Sequence, residues 1–164
     1  MSYLAISQYH RELDQVIQYG GSRNEASIRF AFQRLLNEYC QAKDFLLVPE
    51  LPYKNKRVIP DGTVKDALRL DWGYWEAKDE YDDLDKEIET KLAKGYPDDN
   101  ILFEDSQTAI LLRKGEVCWR VSMRDDQALD HLLTEFINYE RPEVKDFRSV
   151  SYTHLRAHET KANL

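Results

Sequence analysis

The stretch Asp71-Trp-Gly-Tyr-Trp-Glu-Ala-Lys78 constrains the fold more than any other part of the chain. Aromatic residues at this density, in a run too short for a stable helix, read as a buried strand. Side chains two apart on a strand share a face, so Glu76 and Lys78 project together. Trp75 and Ala77 turn the other way, suited to packing beneath a helix. The preceding run, Arg57-Val-Ile-Pro-Asp61, reads as a neighbouring strand that delivers Asp61, with Pro60 marking a strand end.

Apolar periodicity arranges the remaining elements around this strand. Tyr9, Leu13, Val16 and Ile17 recur at helical spacing up to Gly20-Gly21. A second helix runs from Ser22 to Cys40, with Ile28, Phe32, Leu35, Leu36 and Tyr39 as one stripe against a sheet. Phe45-Leu-Leu-Val48 reads as a short buried strand, and Pro49 and Pro52 mark the turn after it. Beyond the central strand, Leu84, Ile88 and Leu92 define a helix over 83–94 that Gly95 and Pro97 stop. Ile101-Leu-Phe103 is a further strand, and Thr108–Arg113 with Val117–Val121 form a hairpin through Lys114-Gly115. Leu129, Leu132, Leu133, Phe136 and Ile137 make the apolar face of a last helix over 125–139. A chain of 164 residues, 42% hydrophobic, can bury one ordinary core, so a single α/β domain is expected.

Asp61, Glu76 and Lys78 would bring two carboxylates and one ammonium to one strand end. Phosphodiester hydrolysis builds charge on phosphate that a hard cation neutralises, and Mg²⁺ is commonly held by one or two carboxylates with waters completing its octahedron. A lysine beside the bound water lowers the cost of forming hydroxide, or offsets charge in the transition state. A plainer reading stands beside this one: Glu76 and Lys78 as an ordinary ion pair on a solvated face.

Pro60-Asp61 with Glu76-Ala77-Lys78 resembles the motif of the PD-(D/E)XK nuclease superfamily. From Asn24 through Lys78, and on through the following helix and hairpin, the chain also resembles the N-terminal nuclease domain of large restriction-modification enzymes that continue into an adenine-specific DNA methyltransferase. The likeness covers residues 1–148. It implies a restriction-endonuclease-like αβββαβ core, a mixed central sheet flanked by helices, and Mg²⁺-dependent cleavage of double-stranded DNA, with Mn²⁺ as a substitute. It further implies Asp61, Glu76 and Lys78 as catalytic positions, and the Ala77 carbonyl as a further ligand beside the Asp61 and Glu76 carboxylates. In such nucleases an acidic residue near the start of the first core helix faces the metal site, and Glu25 matches it. Ser22-Arg-Asn-Glu25 is equally well explained as a capping box, in which Ser22 and Glu25 satisfy each other's backbone amides.

Charge argues in the opposite direction. The net charge of -7 is unlike the basic face that DNA-binding domains commonly present. Part of it is the run from Asp79 to Asp85, which reads as a solvated helix start. The one basic and aromatic segment, Tyr53-Lys-Asn-Lys-Arg57, suits either backbone phosphate or a charged loop, and Lys91 and Lys94 face DNA or water. A cleavage module joined to a larger DNA-gripping partner needs little grip of its own. Gln107 fits a surface or turn role. Cys40 and Cys118 fall on apolar faces without a metal-ligating partner, as reduced core thiols do. Neither an apolar run of membrane length nor a signal-peptide pattern occurs, so no membrane partner and a cytoplasmic location are expected.

From Ser149 onward, Val-Ser-Tyr-Thr-His-Leu-Arg-Ala-His-Glu-Thr resembles translated sequencing-library sequence rather than protein. Residues 149–164 are therefore set apart as a non-native tail, and His154 and His158, four apart, carry no metal site. The natural protein is expected to continue beyond Arg148, and the resemblance implies a fused methyltransferase with translocase or specificity domains as further candidates. The sequence thus reads as the cleavage end of a restriction-modification enzyme. The alternative is a non-catalytic docking module that keeps the nuclease fold, and a nuclease for RNA or single strands carries the same motif.

Overall fold

Strand alternation decides which layer each helix joins. The computed structural model describes residues 3–20, 25–54 and 57–140. In chain order these form α1 (Tyr3–Gly20), α2 (Glu25–Gln41), β1 (Leu46–Pro49), β2 (Gly62–Lys65) and β3 (Asp71–Ala77). Then follow α3 (Leu84–Ala93), β4 (Ile101–Glu104), β5 (Thr108–Arg113), β6 (Glu116–Ser122) and α4 (Asp126–Asn138). From α2 to β4 the order is αβββαβ. The strands make one sheet in sequential order β1 to β6, antiparallel except where β3 runs parallel to β4. A parallel pair needs a crossover, and α3 supplies it.

The larger core lies on one face. Trp75, Leu102, Ala109 and Leu111 pack there against Tyr9 and Leu13 of α1, Phe32 and Leu36 of α2, and Leu132 and Phe136 of α4. The alternate residues Tyr74, Ile101, Phe103, Ile110 and Leu112 face Leu84 and Ile88 of α3. The period of two therefore holds through β3, β4 and β5 and makes a sheet with three helices on one side and one on the other. Trp72 is the exception to the parity. The register slips between Val64 and Lys65, which skips Trp72 and turns it into the larger core. Its indole then donates to the Ile137 carbonyl at 2.8 Å.

Local chemistry fixes the ends of the elements. Asp83 caps α3 by accepting from the amides of Asp85 and Lys86, and Gly95 follows its end at φ +98°. Lys114 and Gly115 both adopt positive φ, as a two-residue hairpin turn between β5 and β6 requires. Asp125 caps α4 through the Ala128 amide.

Four expectations change. Arg57–Asp61 is not a strand: Val58 makes only a single bridge to Tyr53, and β2 begins at Gly62. Pro60 has no amide to donate, so the ladder cannot start before it, and Asp61 sits at the mouth of β2. The short strand is not buried either; it runs Leu46–Pro49 at the sheet edge, and Leu46 is 60% exposed. With ten residues α3 reaches about 15 Å and lies over β4, leaving that face of β1 to solvent. Cys40 is buried as expected, but Cys118 is exposed, because it points outward from the other edge strand, opposite to Trp119 and Val121. At the end of α1 Ile17 also emerges into solvent.

No helix among the described residues is long and apolar enough to cross a membrane. Ser22 of the capping box, Lys56, the boundary at residue 148 and the tail with His154 and His158 lie outside the described residues.

Candidate active site

Register brings the first two acids together. Gly62 pairs with Trp75 across the antiparallel β2–β3 ladder, so one step outward Asp61 meets Glu76. A side chain at Gly62 would come within 2.8 Å of Leu47 and of the Trp75 ring, so glycine lets these strands close over the tryptophan. The Asp61 carbonyl accepts from the Glu50 amide at 3.1 Å, which ties this corner to the end of β1. The two carboxylates then hold each other's strands. Glu76 Oε1 accepts from the Asp61 amide at 3.0 Å, and Asp61 Oδ2 accepts from the Ala77 amide at 2.8 Å. A strand residue's amide and carbonyl point to the same neighbour, so the Ala77 carbonyl is aimed toward the Asp61 edge.

Strand parity puts Glu76 and Lys78 on the α3 face, as read from the sequence. They lie 3.9 Å apart, but each has a nearer partner on α3. Lys91 Nζ is 2.9 Å from Glu76 Oε2, and Lys78 Nζ is 3.3 Å from Glu87. Glu76 is only 3% exposed. Burial first, and then the Asp61 charge, hold its carboxyl above the usual range, against hydrogen bonds from Lys91 and the Asp61 amide. Burial works against the charge of Lys91, yet the hydrogen bond and charge of Glu76 keep that ammonium above the ordinary lysine range. Lys91 is thus turned inward rather than toward solvent, and its Nζ also reaches the Tyr96 hydroxyl at 3.2 Å.

At the ends of β3 and β4 a cleft of about 280 Å³ opens, lined by Glu25, Ile28 and Arg29 of α2, by Ala77, Lys78 and Asp79, and by Glu104 and Ser106. Glu25 therefore shares a cleft with Ala77 and Lys78 rather than touching Glu76. Its carboxyl is shifted upward by a hydrogen bond with Asp79 and by that residue's charge. Asp79, Glu80 and Asp82 all line this space, so the acidic run is more than a solvated helix start. Asp61 and Glu76 do not line it. Asp61 borders a neighbouring cleft with Phe30, Gln33 and Glu50, and Arg29 lines both, its guanidinium 3.8 Å from Asp61. The two clefts meet at Arg29, one lined by Lys78 and the other by Asp61.

Arg29 and Glu104 escaped the sequence reading, and Lys91, expected to face DNA or water, turns inward. Lys91 was readable, since it falls on the inward stripe of Leu84 and Ile88 at helical spacing. Arg29 carried no local signal. Glu104 closes β4, is 2% exposed, and accepts from the Ser106 amide at 2.7 Å and the Trp75 indole at 3.4 Å. Burial pushes its carboxyl up to about 8 against those two hydrogen bonds, with further upward pressure from the charges of Asp105 and Asp61. Gln107 is exposed and belongs to the turn that Asp105 organises by accepting from the amides of Gln107 and Thr108.

The donor set suits a hard cation. Asp61 and Glu76 offer oxygen only, their mutual repulsion is relieved by added positive charge, and a backbone carbonyl lies on the same edge. No group of three His, Cys, Asp or Glu side chains forms a ready cage among the described residues. Mg²⁺ and Mn²⁺ with one or two carboxylates and several waters need none.

No protein-family model and no curated protein matches the chain. Among solved structures it is similar to a chain of the cryo-electron-microscopy structure of a DrdV–DNA complex, at 46% identity and a TM-score of 0.86. The match covers 90% of this chain and 15% of that one, so the chain spans a small part of the protein it resembles. The fold is α/β and restriction-endonuclease-like: an αβββαβ core with a mixed sheet flanked by helices.

Proposed function

We propose that this chain is a metal-dependent endonuclease domain that hydrolyses DNA phosphodiester bonds, the cleavage module of a restriction-modification enzyme. The observation that carries the reading is the reciprocal pair of hydrogen bonds, Asp61 amide to Glu76 and Ala77 amide to Asp61, which fixes two carboxylates beside Lys78 at one end of the sheet. Likeness to a chain from a DNA complex supports the same reading. When bound, Mg²⁺ or Mn²⁺ supplies charge neutralisation at the phosphate and an acidified water. Asp61 and Glu76, with the Ala77 carbonyl, would hold it. Lys78 would assist the attacking water or offset charge in the transition state, and Glu25, across the cleft, would orient a ligand or a second ion. Fused methyltransferase, translocase or specificity domains would supply the DNA grip that a charge of -7 withholds.

The test is plasmid cleavage by the full natural protein in Mg²⁺, with a nucleoside triphosphate if needed. Lys78→Ala is expected to bind DNA as wild type does and to cut at least a hundredfold more slowly, by roughly the scale of a lost transition-state donor. Equal cleavage by that variant removes Lys78 from the mechanism. The second reading, a docking module, draws on the enclosure of Glu76, whose carboxylate is already engaged by Lys91 and the Asp61 amide. It predicts no Mn²⁺ bound between Asp61 and Glu76 in soaked crystals.

A further inference from the structure

Helix α3 meets the Glu76-Ala77-Lys78 strand end through two charged residues one helical turn apart, Glu87 and Lys91. At that spacing they lie on one face of the helix, and on a solvated helix they would simply pair with each other. Here they reach across to the sheet instead. Lys91 lies 2.9 Å from Glu76 Oε2, and Glu87 lies 3.3 Å from Lys78 Nζ, whereas Glu76 and Lys78 are 3.9 Å apart. The side chains of Lys91 and Lys78 are 16% and 17% exposed, so both ammonium groups are largely withdrawn from solvent. Tyr96 fixes Lys91 from behind: its hydroxyl is 3.2 Å from Nζ and its ring centroid 4.7 Å away.

We infer that Glu87 and Lys91 are positioning residues of the candidate nuclease site, Lys91 holding the Glu76 carboxylate and Glu87 holding the Lys78 ammonium, so that strand and helix cross-pair four charges. This rests on the nuclease reading and adds to it a pair of residues outside the motif. Two consequences oppose each other. The Lys91 ammonium fixes the orientation of Glu76, which serves turnover. It also stands beside a metal-ligating oxygen, where its like charge weakens cation binding. A residue that merely stabilised α3 would do neither.

The test uses Lys91→Met and Lys91→Arg in the full chain, with Mn²⁺ binding followed by calorimetry in the absence of DNA and plasmid cleavage followed separately. Lys91→Met is expected to bind Mn²⁺ at least tenfold more tightly and to turn over at least tenfold more slowly, with KM for DNA unchanged. Lys91→Arg, which keeps a cation beside Glu76, should move both quantities back toward wild type. Thermal melting identifies a variant that has lost its fold, and the arginine variant then decides. The pair exchange Glu87→Lys with Lys91→Glu keeps net charge and an intrahelical partner but sets like against like at both contacts, so it should be inactive. Wild-type cleavage together with unchanged Mn²⁺ affinity and turnover in Lys91→Met overturns the inference alone. If wild type does not cleave, the nuclease reading fails, and the Mn²⁺ affinities still decide whether Lys91 acts on Glu76.

Discussion

Glu104 offers a measurement of how the sheet end handles charge. It is 2% exposed, and its carboxyl is raised from the ordinary 4.5 to about 8, chiefly by burial. Because the folded value lies above the unfolded one, the native state keeps a proton that the unfolded chain has released between pH 4.5 and 8. Wild type therefore holds this contribution fully below pH 4.5 and loses it as the pH climbs to 8, with nothing further lost above. At about 1.36 kcal/mol for each unit the whole window is worth at most about 5 kcal/mol. Glu104→Gln removes the titrating proton: its carbonyl accepts from the Ser106 amide, while its NH2 cannot accept from the Trp75 indole, so that 3.4 Å contact is lost. The lost contact sets the variant apart from wild type by an amount that does not depend on pH, and from that offset near pH 4.5 the variant should gain on wild type as pH rises. Even half the full value, about 2.5 kcal/mol, at a urea slope of about 2 kcal/mol/M moves the difference between the midpoints by about 1 M at pH 9. Urea melts of both proteins across the pH range decide it, since every other titrating group cancels in the difference. Midpoints that stay parallel from pH 4.5 to 9 would refute the assignment of a buried, proton-holding carboxyl to this position.

Two further outcomes follow from packing and from the cleft. An added methyl at Gly73 would meet Phe136 and the Asn100 amide at 2.8 Å. Both are buried on the α4 side, so Gly73→Ala should cost about 1–3 kcal/mol and lower the melting temperature by roughly 3–10 °C in calorimetry. Glu25 is exposed at the cleft mouth, so Glu25→Gln should leave melting unchanged while slowing Mg²⁺-dependent cleavage roughly tenfold. A variant as fast as wild type would return Glu25 to its role in helix capping.

The fold was legible wherever its signal was local. Leu129, Leu132, Leu133, Phe136 and Ile137 predicted the buried face of α4 residue for residue, and strand parity separated Glu76 and Lys78 from Trp75 and Ala77. What was not local was misread or missed. The exposure of Cys118 and Leu46 depends on which strands stand at the sheet edges, and no periodicity states that. The inward face of Lys91 follows from helical spacing, but its partner, fifteen residues upstream, is revealed only where α3 crosses the end of β3. Arg29 and Glu104 belong to the site through packing between elements, and each looks like ordinary surface or strand sequence in isolation.

The charge balance changes meaning once the residues are located. As composition, -7 argued against nucleic acid. In the structure the acids of the 79–85 run are partly gathered at one place, with Asp79, Glu80 and Asp82 around the cleft that Lys78 also lines. Phosphate entering that cleft would meet like charge, so on the proposed function DNA affinity cannot come from this mouth. On that function it would come from the domains that hold the duplex. Such a mouth disfavours cleavage by the isolated domain without forbidding it in the assembled enzyme. An acidic entrance and a nuclease core are therefore compatible, provided that grip and cutting reside in different parts of one longer chain.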